Sequence, residues 1–473
     1  MNEQLFEWVT LAAEILAALI IFAGVAQVLL YIVQLIFAGW ALHKRPPALS
    51  TAALWQRYGD LAPPIAIIAP AYNEELTIVE STKALLALHY PDFEVIIVND
   101  GSKDGTLDTL IQAFGVAPVQ RYHDHAVECR PIRGLYCNPA IPRLIVVDKV
   151  NGGKADAMNA GINVARAPIV CVIDADTLLE PDALIRAVRP FVEEPTKTVA
   201  VGGTIRIANG CRVEGGRVIE GRLPRNFLAL MQTVEYLRAF LMARLGLTQM
   251  RILMIISGAF GLFKRSTAIE VGGFSQNTVG EDFELVVKLH RHMRDRKQDY
   301  RISYIPDPVS WTEAPETLKI LGNQRARWQR GSLETFFKHR DMFLNPRYGR
   351  IGFLGMGQVY IVDVIGPLVE VMGYVLVPLL WLLGLIAFEY LLAFVAVIFS
   401  FGVFVSVASL VLEEVQLRRL PRARDLATLT LAAIIENFGY RQLNNLWRVK
   451  GYWQFLRKQQ GWGEMTRKGF QRP

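Results

Sequence analysis

The chain has 473 residues, 52% hydrophobic and 20% charged, with a mean hydropathy of +0.26. That apolar content excludes a disordered or fibrous chain, and its segregation into long runs excludes an ordinary soluble enzyme. The formal charge of +7 fits nucleic acid, an anionic lipid surface or a phosphate-bearing substrate, and only the positions of the basic residues separate these.

Residues 15–42 form a run of 28 uncharged residues in which only Gln27 and Gln34 are strongly polar. As a helix it is about 42 Å long at about 1.5 Å per residue, more than the roughly 30 Å hydrocarbon core needs. The leader Met1-Asn2-Glu3-Gln4 is acidic, the run is too long for a secretory signal and no small-residue cleavage site follows. A retained membrane helix is therefore expected, with His43, Lys44 and Arg45 placing its far end in the cytoplasm.

Residues 46–340 read as a soluble unit. Ile65-Ala66-Ile67-Ile68-Ala69, Val95-Ile96-Ile97-Val98, Leu144-Ile145-Val146-Val147 and Ile169-Val170-Cys171-Val172-Ile173 are near-continuous apolar runs. Such runs suit parallel strands covered by helices on both faces. Helical patterns over 75–88 and 154–166 lie between them, predicting an α/β fold with a doubly wound sheet. Ligands of such sheets bind beyond the carboxyl ends of the strands. Residues 115–143 look like an insertion. Cys129, Cys137, Cys171 and Cys211 all fall in this unit and are expected as free thiols. Zinc binding by His123, His125, Cys129 and Cys137 is disfavoured, because their spacing matches no standard ligand set.

The polar residues past each strand carry the chemistry. After the first come Tyr72-Asn73-Glu74, and after the second Asn99-Asp100-Gly101, whose carboxylates suit a ribose or base edge even though Asp-Gly is a common turn. Asn151-Gly152-Gly153-Lys154 opens a helix, where close backbone approach, the helix N-terminus and a lysine favour phosphate. Asp174-Ala175-Asp176 leaves the fourth strand. Two carboxylates one residue apart repel unless a cation lies between them, so Mg²⁺ or Mn²⁺ bridging to a diphosphate is expected over a merely solvated acidic turn. Gly280-Glu281-Asp282 precedes a helix; an acidic pair there is either ordinary capping or a general base. In Gln324-Arg325-Ala326-Arg327-Trp328 the two arginines leave one helix on different faces, so one packs while the other meets phosphate. A basic interfacial helix explains those arginines nearly as well.

Beyond 340, residues 353–370 read as an interface helix. Residues 371–388 and 390–412 are uncharged runs of 18 and 23, separated by Glu389 and read as a membrane hairpin. Arg418, Arg419, Arg422 and Arg424 follow on the cytoplasmic side. Residues 426–435 are too short to span, and the tail after Tyr440 has eight Lys or Arg against Glu464 alone, so an interfacial or re-entrant segment is expected. The division is 1–45, 46–340 and 341–473.

Taken in order, these motifs resemble the membrane-embedded family 2 glycosyltransferases with a GT-A (Rossmann-like) fold. That family includes cellulose, hyaluronan and chitin synthases and, in particular, the bacterial poly-β-1,6-N-acetylglucosamine synthase type. The likeness covers roughly 65–328, flanked by transmembrane and interfacial helices. It implies that Tyr72, Glu74 and Asp100 hold the uridine of a UDP-sugar, with Lys154 near its uracil or diphosphate. Asp174 and Asp176 match the family's DxD element, the second aspartate ligating the metal. Asp282 matches the catalytic base, with Glu281 beside it on the substrate and Ser257 near the acceptor. Gln324, Arg325, Arg327 and Trp328 match the QxxRW motif of processive synthesis.

The implied reaction is inverting transfer from UDP-N-acetylglucosamine or UDP-glucose to a growing polysaccharide at the bacterial inner membrane, with coupled export. The chain would be multi-pass, with its catalytic domain cytoplasmic. The resemblance leaves room for an accessory membrane or periplasmic subunit. Asn99 replaces the first aspartate of the common DDG, and only one helix precedes the domain where several relatives have two. No PilZ-like module is legible, so regulation by cyclic di-GMP within this chain is not expected. The alternatives are single addition to a lipid-linked acceptor and a non-catalytic membrane scaffold. Nucleic acid is disfavoured because the basic residues gather at the expected membrane surface.

Overall fold

The structure, a computed structural model, describes residues 3–44, 50–175, 177–417 and 423–459. Its strands are β1 (Ile65–Ala71), β2 (Phe93–Asn99), β3 (Ala117–Val119), β4 (Ile132–Cys137), β5 (Leu144–Lys149), β6 (Ile169–Val172), β7 (Leu178–Leu179), β8 (Thr198–Ile207), β9 (Arg212–Glu214), β10 (Arg217–Glu220), β11 (Gly261–Lys264) and β12 (Arg301–Thr312). Ten make one sheet in the order β3-β4-β5-β2-β1-β6-β11-β8-β12-β7, and β9 pairs with β10 alone.

The four apolar runs are β1, β2, β5 and β6, the parallel centre. Ile65, Ile67, Val95, Ile97, Leu144 and Val146 are buried on one face, and Ala66, Ile68, Ile96, Val98, Ile145 and Val147 on the other. This double burial is why the runs read as unbroken rather than alternating. Register then places the site: Ala71 lies opposite Asn99, Asn99 opposite Asp148, and Ile68 opposite Val172. The turns after these strands therefore emerge at one level on one edge. The sheet is mixed rather than wholly parallel, since β11 runs antiparallel to both β6 and β8. Residues 115–143 supply β3 and β4, an antiparallel edge laid on β5.

Among the described residues, three helical stretches are long and apolar enough to cross a membrane: Ala18–His43, Ile351–Leu382 and Phe388–Glu414. Two expectations need correction. The interface helix expected over 353–370 is continuous with the following span, because π-turns at Ile351–Gly355 and Val359–Ile365 lead straight into the helix Gly366–Leu382. Pro367 sits in the first turn of that last helix, where its missing N–H is tolerated. Glu389 does not separate the hairpin. The break falls after Leu382, with Gly384 left-handed at φ 72°, and Glu389 occupies the first turn of Phe388–Leu417, where an acid complements the helix dipole.

Side chains from both sides of residue 340 share cores. Met231, Val234 and Leu321 pack with Leu410, Leu429 and Ala432, and Ala38, Leu42, Leu241 and Leu245 pack with Val405. The short helix Ala423–Ile435 turns back at Gly439 into Tyr440–Leu456, which lies along the helix Leu318–Lys338. At that crossing a Cβ on Gly451 would stand 2.6 Å from the Ala326 carbonyl and 2.7 Å from Gln329 Cβ. Gly451→Val is expected to destabilise the chain by about 1–3 kcal/mol, as overpacking does, read as a lower thermal midpoint.

Candidate active site

The turns after β1, β2, β5 and β6 open into one cavity of about 1670 Å³, above the roughly 300–1,000 Å³ usual for a small ligand. Tyr72 stands 44% exposed at this cavity, beside Glu74. Asp100 lines it too, yet its carboxylate is buried and committed to the protein. Oδ1 accepts from Lys149 Nζ at 2.5 Å and from the Gly152 amide at 3.0 Å, and Oδ2 from Gly153 at 2.7 Å and Asn151 Nδ2 at 3.2 Å. Asp100 thus shapes the 151–153 loop. Gly101 must be glycine: it is left-handed at φ 62°, and a Cβ would meet the Asn151 amide at 2.8 Å.

That loop caps the helix Lys154–Val164, whose first residue reaches into the cavity. Lys154 Nζ lies 2.5 Å from Asp174 Oδ1 and 3.2 Å from Glu281 Oε1. Burial alone would depress this ammonium, but Asp174, Glu281 and Asp282 together hold it above its ordinary range. The Asp174 side chain is 31% exposed to the cavity. Asp176 lies outside the described residues.

Glu281 and Asp282 begin the helix Glu281–Asp295. Asp282 Oδ2 accepts from the Gly258 amide and Oδ1 from the Phe283 amide, both at 2.8 Å. These two amides fix the Asp282 carboxylate next to the loop that carries Ser257. The preceding turn is seated on the helix Leu318–Lys338: Glu334 accepts from Thr278 Oγ1 and the Val279 amide at 2.9 Å. Gly280 and Gly331 touch so closely that a Cβ on Gly331 would meet Gly280 Cα at 2.9 Å.

Leu318–Lys338 carries the arginine and tryptophan cluster. Arg325 is buried, paired with Glu235 at 2.7 Å, and lies 4.4 Å from the Trp328 ring centroid. Arg327 faces the carboxylates. Burial lowers its pKa from the ordinary range, with Glu281, Asp174 and Asp282 opposing the fall. Gln324 and the 43%-exposed Trp328 line the same cavity, which continues to Asp363, Asn444 and Arg448. Arg448 joins Gln329 at 2.7 Å and Asp363 at 3.1 Å, tying the C-terminal helix to the cavity wall.

Burial pushes the Glu281 carboxyl up to about 7, Lys154 pulling against the rise and Asp282 adding to it. The group is neutral below that pH and charged above it, and when charged it cancels Lys154. Affinity for a nucleoside diphosphate is therefore expected to fall by up to about tenfold between about pH 6 and about pH 8, and Glu281→Gln should flatten that dependence in calorimetric titrations.

Sequence reasoning missed several residues that line the cavity or, like Lys149, hold its wall from behind. Lys149 is the largest fully buried side chain, yet it closes an apolar strand. Arg244 is depressed by burial and has Nη1 without a partner; its only signal was a charge inside an otherwise apolar helical stretch. Asp363, Asn444 and Arg448 come from segments remote in sequence. Among the described residues, no group of three His, Cys, Asp or Glu is placed to hold a metal, and the cysteines are free thiols.

Comparison with known proteins places these features in context. Residues 66–124 match the family described as "Glycosyl transferase family 2", and residues 137–331 match "Glycosyltransferase like family 2". The chain is 30% identical over 274 residues to poly-beta-1,6-N-acetyl-D-glucosamine synthase of Staphylococcus epidermidis, covering 58% of this chain and 56% of that one. It is 32% identical over 280 residues to the synthase of the same name from Staphylococcus aureus strain COL, covering 59% and 56%. The chain thus spans little more than half the length of these relatives. A mannosyltransferase from Pyrobaculum calidifontis, solved with GDP-Man and Mn²⁺, shares the fold at a TM-score of 0.54 and 19% identity, covering 93% of this chain and 99% of that one.

Proposed function

We propose that this chain, whose residues 66–124 and 137–331 carry glycosyltransferase family 2 domains, is an inverting membrane-bound enzyme. It moves a sugar from a UDP-sugar, UDP-N-acetylglucosamine or UDP-glucose, onto a growing polysaccharide. The observation that carries this reading is the single cavity running from Tyr72 and Asp174 past Asp282 to Trp328, Asp363 and Arg448, where helices able to cross a membrane begin. One space holds room for donor, base and acceptor.

In this reading Tyr72 and Glu74 take the nucleoside, and Asp100 acts through the loop it shapes. Lys154 and Arg327 meet the diphosphate. The acceptor hydroxyl gives its proton to Asp282, its oxygen bonds to the anomeric carbon, and the bond from that carbon to the diphosphate breaks, releasing UDP. Ser257 and Trp328 border the acceptor sugar, a flat ring suiting its apolar face. The exposed part of Asp174 suits a hard cation, and Asp174 with Asp176 would hold Mg²⁺ or Mn²⁺. Such an ion, when bound, supplies positive charge to the departing diphosphate. In this reading the three apolar helices lie in the bacterial inner membrane and the α/β domain is cytoplasmic, which the length of those helices supports.

The experiment incubates the full chain in nanodiscs with a panel of UDP-sugars and GDP-mannose and measures nucleotide release with and without a chelator. Release with one UDP-sugar, lost on chelation and restored by Mn²⁺ or Mg²⁺, is expected. Release from GDP-mannose alone would overturn the assigned donor class, and release unaffected by chelation would remove the metal.

A further inference from the structure

A second cavity of about 80 Å³ lies between the helix Glu281–Asp295, the start of β12 and the foot of the Ile351–Leu382 run. Four arginines line it: Arg251, Arg294, Arg301 and Arg350. Two local carboxylates do not offset them. Arg301 is paired with Glu194 at 2.6 Å, and Asp299, the only carboxylate in the lining among the described residues, is paired with Lys197 at 2.6 Å. Among the described residues, the side chains of Arg251, Arg294 and Arg350 make neither an ion pair within 4 Å nor a hydrogen bond, and Arg294 Nε is buried without a partner. Asp299, shared among Lys197, Arg251 and Arg301, is one carboxylate beside guanidiniums that outnumber it and repel each other, and an anion seated between them lowers that repulsion.

The wall behind them is fixed. His290 uses both ring nitrogens, one toward Tyr300 Oη at 2.7 Å and the other toward the Leu253 carbonyl at 2.8 Å. The volume is that of about two to three liquid waters, too small for a nucleotide and about right for a phosphate group. The forked guanidinium matches phosphate oxygens in geometry as well as charge. Location narrows the source. Arg350 directly precedes Ile351, where the apolar run begins, and the large apolar side chains of Phe353 and Leu354 are exposed in its first turn. With Ile351–Leu382 read as a span, the exposed Phe353 and Leu354 put its cytoplasmic end, and the headgroup phosphates beside it, next to this cavity.

We propose that Arg251, Arg294 and Arg350 bind a phosphate group at the foot of the Ile351–Leu382 helix, carried by an anionic phospholipid of the cytoplasmic leaflet. This goes beyond the transfer reaction and rests only on Ile351–Leu382 crossing the membrane. A soluble phosphate shares the chemistry, and the test separates the two. The full chain in detergent is titrated with phosphatidylglycerol, with phosphatidylcholine and with inorganic phosphate, and bound species are counted by native mass spectrometry.

The parent chain should retain phosphatidylglycerol over phosphatidylcholine. Arg294→Gln and Arg350→Gln should each weaken that retention by about tenfold, the scale of one charge-assisted contact. Arg350 is exposed and makes no contact that a glutamine would break, so its variant keeps the parent's unfolding midpoint. Variant-sensitive binding of inorganic phosphate alone would keep the pocket and overturn the lipid as its source. Equal retention of both lipids with no phosphate bound, or retention unchanged in both variants, would overturn the pocket itself.

Discussion

Asp282→Asn is expected to lower sugar transfer by about 10²–10⁴-fold, the usual worth of a positioned general base, while nucleotide affinity changes by no more than about twofold. The geometry sets both halves of this result. Asp282 takes backbone amides from Gly258 and Phe283 at 2.8 Å, so its charge is held at the acceptor loop, while the Lys154 ammonium contacts Asp174 and Glu281. Asparagine keeps the shape and cannot take a proton. Its amide group would face the Gly258 amide donor-to-donor if turned that way, so some loss through displacement of the Ser257 loop is built into the figure. Measuring transfer and nucleotide binding on the same preparation separates the two effects: a matched fall in both would mean the turn has moved, and unchanged transfer would remove Asp282 as the base.

Lys149→Met is expected to cost about 3–5 kcal/mol of stability, as breaking a buried ion pair from one side does. Lys149 is fully buried, with Nζ 2.5 Å from both Asp100 Oδ1 and Asp156 Oδ1 and 2.6 Å from the Val150 carbonyl. Methionine fits the space but strands two buried carboxylates facing each other without a cation. Asp100 also holds Gly152 and Gly153, and Asp156 accepts from the Arg130 amide at 2.9 Å, so the loop ahead of Lys154 should loosen with it. Denaturant unfolding measures the first effect and nucleotide affinity the second. Restoring neutrality with Asp156→Asn beside Lys149→Met should recover part of the loss; no loss in Lys149→Met would show that the lysine carries no such load.

The sequence makes β1, β2, β5 and β6 readable because both their faces are buried, leaving apolar runs that no helix period explains. It hides β8, β11 and β12, where glycines and polar residues interrupt the pattern: Gly202 and Gly203 in β8 lie against Tyr304 and Val309, a closeness set by the partner strand. Motifs past strand ends were legible for the same reason as the strands. What each side chain does there was not. Asp100 reads as a ligand contact from its position, yet its oxygens are taken by groups 49 to 53 residues away, and no local spacing reveals them. The hairpin break was misplaced because charge was used as the marker, while the chain turns on Gly384, whose left-handed backbone ends the helix. Arg448 and Asp363 join the cavity only through the folding-back of Tyr440–Leu456 on Leu318–Lys338, a tertiary event.

The most direct test of the account is the length of the product made by the full chain in nanodiscs from whichever UDP-sugar releases UDP. A ladder many sugars long, present with the parent chain and absent with Asp282→Asn, is the predicted result. A product of one added sugar would contradict polymerisation and leave a transferase acting on a lipid-linked acceptor, and no product from any donor, even with membrane extract supplying partner and acceptor, would contradict transfer itself.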